Sequence, residues 1–190
     1  MIIEDIIALL KLHKNIKAIY VTPHRQYPTT VTMSLKRRLE LIELSNEYGF
    51  TIIEDDYDNE FHFGYRPILP LSSFMELKNY VYIGTMSKVV APALRIGYIA
   101  SNDCTLINKV ARLRKIIDVQ GDSIMEQAVL QLIKDGTIKR HIKKQQIIIR
   151  QKGILPKYYY KSTLEIKYLT LSPRVGLPIG SCLKSRSTGY

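Results

Sequence analysis

Lys88 stands in the run Gly84-Thr85-Met86-Ser87-Lys88, after the apolar stretch Tyr80-Val81-Tyr82-Ile83 and before Val89-Val90-Ala91-Pro92. It has few charged neighbours in sequence, so partial burial at a strand end would favour the neutral, nucleophilic amine that Schiff-base chemistry needs. Thr85 and Ser87 precede it and Arg95 follows seven positions on. Two hydroxyls and a guanidinium around one lysine make a reasonable phosphate cradle. Gly84-x-x-Ser87-Lys88 is not a P-loop, because the leading glycine and its spacing are wrong. The plain alternative is a surface lysine with ordinary neighbours.

A second cluster is Glu54-Asp55-Asp56, with Tyr57 next to it. Three adjacent carboxylates would repel one another if all were buried. Holding one there implies a cation: a protonated ring nitrogen, or a Mg²⁺ bound together with phosphates. A solvated acidic turn is the competing reading. Tyr57, two residues after Asp55, offers a phenol beside it. His24, Arg25 and Gln26 form a polar group in an earlier loop. His24 could titrate near neutrality, but a loop histidine of this kind is expected to be exposed. His62 and His141 have no partner at metal-ligand spacing, so no metal site is expected.

The elements that must carry these residues follow from the pattern. Short apolar runs predict strands at 18–21, 51–53, 80–83 and 96–100. Amphipathic spacing predicts helices over 4–14, 34–49, 104–118, 123–135 and 138–152. Ser34 is the expected N-cap of the second helix and Gly49 its terminator. Ser123-x-x-Glu126 reads as a capping box, with Gly136 closing that helix. Strand–helix alternation at this spacing argues for an α/β fold with a parallel sheet, whose ligands sit beyond the carboxyl ends of the strands. Gln26, Asp55 and Lys88 follow the first, second and third strands respectively.

The 190 residues are 46% hydrophobic and 24% charged, enough apolar content for a globular core. No apolar run approaches the roughly 18 to 20 residues that span a bilayer. The opening Met1-Ile2-Ile3-Glu4-Asp5 lacks a basic secretory n-region, so no signal peptide and a cytoplasmic location are expected. Cys104 and Cys182 have no metal-ligand spacing and are expected to be two free thiols. Residues 1–133 carry 15 Lys+Arg against 15 Asp+Glu, while residues 134–190 carry 13 against 2 and supply the whole net charge of +11. The basic end lacks a nucleic-acid-binding signature and reads first as a solvated helix face with a loosely structured tail.

Three motifs in order carry a resemblance. They are Val21-Thr22-Pro23-His24-Arg25-Gln26-Tyr27-Pro28-Thr29-Thr30, then Ile53-Glu54-Asp55-Asp56-Tyr57-Asp58-Asn59-Glu60-Phe61, then Tyr82 to Lys88 with Pro92-Ala93-Leu94-Arg95-Ile96-Gly97-Tyr98. Together they resemble the aminotransferase-like domain of the MocR/PdxR regulators, GntR-type transcription factors fused to a fold-type-I, pyridoxal-phosphate-dependent domain. The resemblance spans residues 1 to about 152. It implies that Lys88 is the Schiff-base lysine and that Asp55 pairs with the pyridine nitrogen of pyridoxal 5'-phosphate, keeping it protonated. It implies that Tyr57 meets the cofactor's 3′-oxygen, and that Thr85, Ser87 and Arg95 hold its phosphate. Plain aminotransferases carry Asn-Pro-Thr-Gly in the first loop. Tyr27-Pro28-Thr29-Thr30 stands there instead, nearer the regulator branch.

On this resemblance the fold is a partial large domain of the pyridoxal-phosphate transferases. The mainly parallel sheet and flanking helices occupy residues 1–136, a connecting basic helix 137–152, and a truncated or degraded start of a small domain 153–190. The chain is expected to be a fragment without a DNA-binding domain, and the strand at 18–21 to be an exposed edge that favours association or marginal stability, so that the isolated chain folds poorly and binds pyridoxal phosphate weakly or not at all. Three readings follow. The first is a domain acting on an amino acid or amine, active as a transaminase if it turns over, in a homodimeric, non-membrane family. The second is an effector-sensing domain without turnover. The third is a non-functional piece of a broken gene.

Overall fold

A computed structural model describes residues 2–26, 29–57, 68–91, 94–118 and 121–151. The order of elements is α1 (Ile3–Leu12), β1 (Ala18–Val21), α2 (Leu35–Tyr48), β2 (Thr51–Asp56), a 3-10 turn (Leu71–Ser73), β3 (Tyr80–Thr85), β4 (Gly97–Ala100), α3 (Cys104–Asp118), α4 (Ser123–Lys134) and α5 (Thr137–Gln151). The four strands form one sheet in the order β1-β2-β3-β4. β1 and β2 run parallel, as do β2 and β3, whereas β4 is antiparallel to β3. The sheet is therefore mainly parallel with one reversed edge, and β1 is the other edge.

Local chemistry places the helices. Ser34 caps α2, its Oγ accepting from the Arg37 N–H at 3.5 Å. Gly49 ends it in the left-handed region at φ 71°, a conformation glycine adopts without a Cβ penalty. The expected capping box at Ser123 is displaced by one residue. Asp122 is the N-cap, its Oδ1 accepting from Met125 N–H at 3.0 Å. A carboxylate is the stronger acceptor for those unpaired first-turn amides, and it also complements the helix dipole. Gly136 follows α4 at φ 74°, as its position in sequence suggested.

The core lies on one side of the sheet. Leu41, Ile42 and Leu44 of α2 pack with Phe50, Ile52, Val21, Leu71 and Leu77. Burying each such side chain contributes roughly 1.5–3 kcal/mol. α1 joins through Ile3 and Leu10, which leaves Leu9 and Leu12 exposed. Among the described residues no helix is long and apolar enough to cross a membrane. The expectation of two free thiols is corrected at Cys104, which is disulfide-bonded. Linear separation does not constrain pairing; only the Cα–Cα approach set by the folded chain does. Cys182 and the expected small-domain start at 153–190 lie outside the described residues.

Candidate functional site

β2 divides the three acids between its two faces. Side chains alternate along a strand, and burial along Thr51–Asp56 alternates accordingly, with Ile52, Glu54 and Asp56 inward. Asp55 points the other way, together with Tyr57. The acidic run thus continues the strand instead of forming a turn after it. Mutual repulsion is reduced because the two inward carboxylates each meet compensating groups.

Those groups are specific. Glu54, with no exposed surface, accepts from Leu71 N–H at 2.8 Å and Ser72 N–H at 2.9 Å, so it closes the amide end of the 3-10 turn. Burial pushes its carboxyl up; the two amides pull it back, and the nearby Asp56 adds to the rise. Arg38, also fully buried, donates to the carbonyls of Met33, Leu69 and Pro23 at 3.1, 2.9 and 2.9 Å. Burial lowers the Arg38 guanidinium, opposed by the charges of Glu54 and Asp56. Asp56 receives the Tyr82 hydroxyl at 3.0 Å and faces His24 Nδ1 at 3.2 Å. The other ring nitrogen of His24, Nε2, lies 2.6 Å from the Ile68 carbonyl. Burial opposes a charged His24 ring, but Asp56 and the Ile68 carbonyl outweigh it and raise the ring above its ordinary value. The Tyr82 phenol is pushed up by burial and by Asp56.

The outward face holds the residues with chemistry to spare. Lys88 Nζ lies 4.2 Å from the centroid of the Tyr57 ring, a cation–π distance. Tyr57 donates its hydroxyl to the Arg25 carbonyl at 2.7 Å. Asp55 Oδ2 receives the Tyr20 hydroxyl at 2.5 Å, and burial together with that carboxylate raises the Tyr20 phenol. Register explains the contact: Tyr20 pairs with Ile53, and Ile53 and Asp55 share a face.

Lys88 is set by a turn after β3. Val90 N–H bonds to Met86 O at 2.9 Å and Ser87 N–H to Thr85 Oγ1 at 3.1 Å, while Val89 is buried as the anchor. The loop closes where Met86 N–H and the Thr85 hydroxyl donate to Ile96 O, at 2.9 and 3.4 Å. That pins the residue after Arg95 beside Thr85. Arg95 itself is exposed, and its φ of 50° is left-handed, a strained conformation for a residue with a Cβ. Such outliers concentrate at ligand sites.

The structure therefore brings Lys88, Tyr57 and Asp55 to one face of the sheet's carboxyl end, with Thr85 and Arg95 close along the chain. Gln26 is exposed; it lines a cavity of about 600 Å³ with Tyr20, Thr29, Val31, Met33 and Arg37, and Lys88 is not part of that lining. His24 departs from expectation, since its side chain is only 9% exposed. A loop residue is buried when the loop folds back over a sheet face, which sequence spacing does not reveal. Two participants went unnoticed, Tyr20 and Arg38. Arg38 carried a signal: it lies three and four residues before Leu41 and Ile42, on the buried stripe of its helix. Among the described residues no group of three or more His, Cys, Asp or Glu side chains is placed to hold a metal ion.

A partial α/β sheet with an amine, a phenol and a carboxylate at its carboxyl ends defines a class, and comparison with known proteins agrees. A family model, aminotransferase class I and II, matches residues 2–154. The chain belongs to that family. It is 33% identical over 141 residues to aromatic-amino-acid aminotransferase 1 of Thermococcus litoralis, covering 74% of this chain and 34% of that protein. It is 30% identical over 134 residues to the HTH-type transcriptional regulator YdeL of Bacillus subtilis, covering 70% and 29%. The kynurenine aminotransferase of Pyrococcus horikoshii, solved in complex with PMP, superposes with a TM-score of 0.72 at 28% identity, over 80% of this chain and 38% of that one. The chain thus spans about a third of the length of the relatives it matches.

Proposed function

We propose that this chain forms the lysine-bearing part of a pyridoxal-phosphate site acting on an amino acid or amine. The observation that supports it is the placement of the Lys88 amine over the Tyr57 ring on the face that also presents Asp55. The donor set fits the cofactor: an amine for its aldehyde, a carboxylate for its ring nitrogen, a phenol for its ring oxygen, and hydroxyl and guanidinium groups for its phosphate. When bound, the cofactor supplies an electron sink for charge developing on the substrate's α-carbon.

The chain's own residues do the rest. Lys88 would hold the cofactor through its amine, and that amine is the group placed to move the substrate's α-proton. Asp55 would hold the cofactor's ring nitrogen, its charge favouring the protonated form. Tyr57 must leave the Arg25 carbonyl to reach a ligand, so its hydroxyl is a movable donor. Thr85, Ser87 and Arg95 form the phosphate side. Their hydroxyls hang on a loop already closed by Ile96, which limits the ordering required on binding.

The test is reductive trapping. Purified chain treated with pyridoxal phosphate and borohydride should carry one phosphopyridoxyl group on Lys88 by peptide mass mapping, and none in Lys88→Ala. Scattered labelling of surface lysines, unchanged by that substitution, would reject the site. A second reading, an effector-sensing domain without turnover, is favoured by the similarity to the HTH-type regulator and by Tyr27-Pro28-Thr29-Thr30. It predicts the same trapped Lys88 but no amino-group transfer from any amino acid tested.

A further inference from the structure

The buried side of β2 contains a pair that the cofactor site does not use. His24 Nδ1 and Asp56 Oδ1 lie 3.2 Å apart, with side chains 9% and 0% exposed. Neither atom has another hydrogen-bond partner, and the contact is an ion-pair distance without hydrogen-bond alignment. The His24 ring has acceptors on both sides: the Ile68 carbonyl at Nε2 and the Asp56 carboxylate at Nδ1. A neutral imidazole has one N–H and would turn a lone pair towards one of them. The doubly protonated ring donates to the Ile68 carbonyl and places a positive charge 3.2 Å from the Asp56 carboxylate.

Asp56 is the backbone neighbour of Asp55, on the opposite face of the same strand. An unneutralised carboxylate there would oppose ionisation of Asp55. The Arg38 charge is shared between Glu54 and Asp56, and the amides of Leu71 and Ser72 serve Glu54; the His24 ring is the group at ion-pair distance from Asp56. The Tyr82 hydroxyl serves the second oxygen of Asp56 but brings no charge.

We propose that His24 is a positioning residue: as a buried imidazolium it neutralises Asp56 from beneath the sheet, leaving Asp55 as the carboxylate of this strand end that is free to hold a cation on the other face. This rests on the proposed role of Asp55, but the pair itself can be tested without any cofactor. The groups that face the pair are Arg38 from α2, Tyr82 from β3 and Glu54 from β2. Asp55 faces Tyr20 of β1 and its own strand neighbour Tyr57.

The experiment is a titration of the cofactor-free full chain by NMR, reading His24 ring nitrogens and the Asp55 carboxyl carbon. In the wild-type chain both His24 nitrogens should carry protons at pH 7; a single-proton tautomer there overturns the proposal. In His24→Gln the Asp55 carbon should titrate at higher pH than in wild type, by on the order of one unit. The double variant His24→Gln/Asp56→Asn should return it towards the wild-type position. A purely structural role for His24 gives no such return, and that outcome, or no displacement in the single variant, also overturns it. Where His24→Gln does not fold, Asp56→Asn reads the pair from the other side: the His24 ring must lose its proton at lower pH than in wild type, and an unchanged His24 titration refutes the pair. If reductive trapping at Lys88 fails while these titrations behave as described, the cofactor reading falls and the charge pairing stands.

Discussion

The two faces of β2 differ in how completely their polar groups are satisfied. Inward, Glu54 and Asp56 are buried with backbone amides, a phenol, an imidazole and a nearby guanidinium around them. Outward, Asp55 and Tyr57 are half-buried and held by a phenol and a carbonyl that a ligand can replace. The inward network ties three segments together, since Arg38 and His24 bond carbonyls of residues 23, 33, 68 and 69. Buried polar groups are costly to leave unpaired, so a satisfied network is rigid. The lesson is a division of labour within one strand: alternate residues build the support and present the site.

The comparison breaks most severely at Arg38. Arg38→Met should destabilise the chain by about 3–5 kcal/mol, because it leaves two buried carboxylates without their guanidinium and three carbonyls without a donor. Urea unfolding would show this as a lowered midpoint, and a loss under about 1 kcal/mol would mean that the network is not a coupled unit.

The pH dependence tests the same face. The folded His24 holds its proton more tightly than the ordinary histidine value of 6.5. It therefore contributes stability in full below that value and loses the contribution as pH rises through its folded value. The urea midpoint should fall as the pH rises above the ordinary histidine value of 6.5, and His24→Gln should flatten that slope. Glu54, also raised, adds a decline of the same sign as the pH rises above the ordinary carboxyl value of 4.5.

The outward face should respond oppositely. Asp55→Asn should cost about 1 kcal/mol or less in urea unfolding, since a single half-exposed hydrogen bond from Tyr20 is weakened. The same substitution should sharply reduce phosphopyridoxyl trapping at Lys88. A stability loss as large as that of Arg38→Met would erase the distinction between the faces.

The smallest expected effect is a gain. Thr30 sits at φ 61°, a left-handed conformation that a residue with a Cβ rarely adopts. A β-branched residue there costs about 1–2 kcal/mol, against roughly 0.5–1 for the added freedom of glycine. Thr30→Gly should raise the unfolding free energy by about 0–1.5 kcal/mol, read as a small rise in the urea midpoint.

Much of this was legible in the chain. Four strands and five helices lie within a few residues of their expected places, because apolar runs, Ser34, Gly49 and Gly136 are local signals read at short range. The exposed edge at 18–21 was foreseeable as well, and β1 does end the sheet. Lys88, Asp55 and Tyr57 stood out by type and spacing, and their shared face follows from strand parity once β2 is known to run through Asp56.

The buried pairings were not legible. That Tyr20 reaches Asp55 depends on the register of β1 against β2, and that His24 meets Asp56 depends on a loop folding under the sheet. The reversed direction of β4 depends on how the chain returns after Ile96, and the disulfide at Cys104 on distance in space. Sequence alone determined the elements and the chemical types presented at the strand ends, since those follow from side-chain periodicity and backbone propensity over a few residues. Only the tertiary structure decided which carboxylates meet buried partners and which one faces outward, because Coulombic and hydrogen-bond partners are chosen by proximity between segments that are 17 to 35 residues apart.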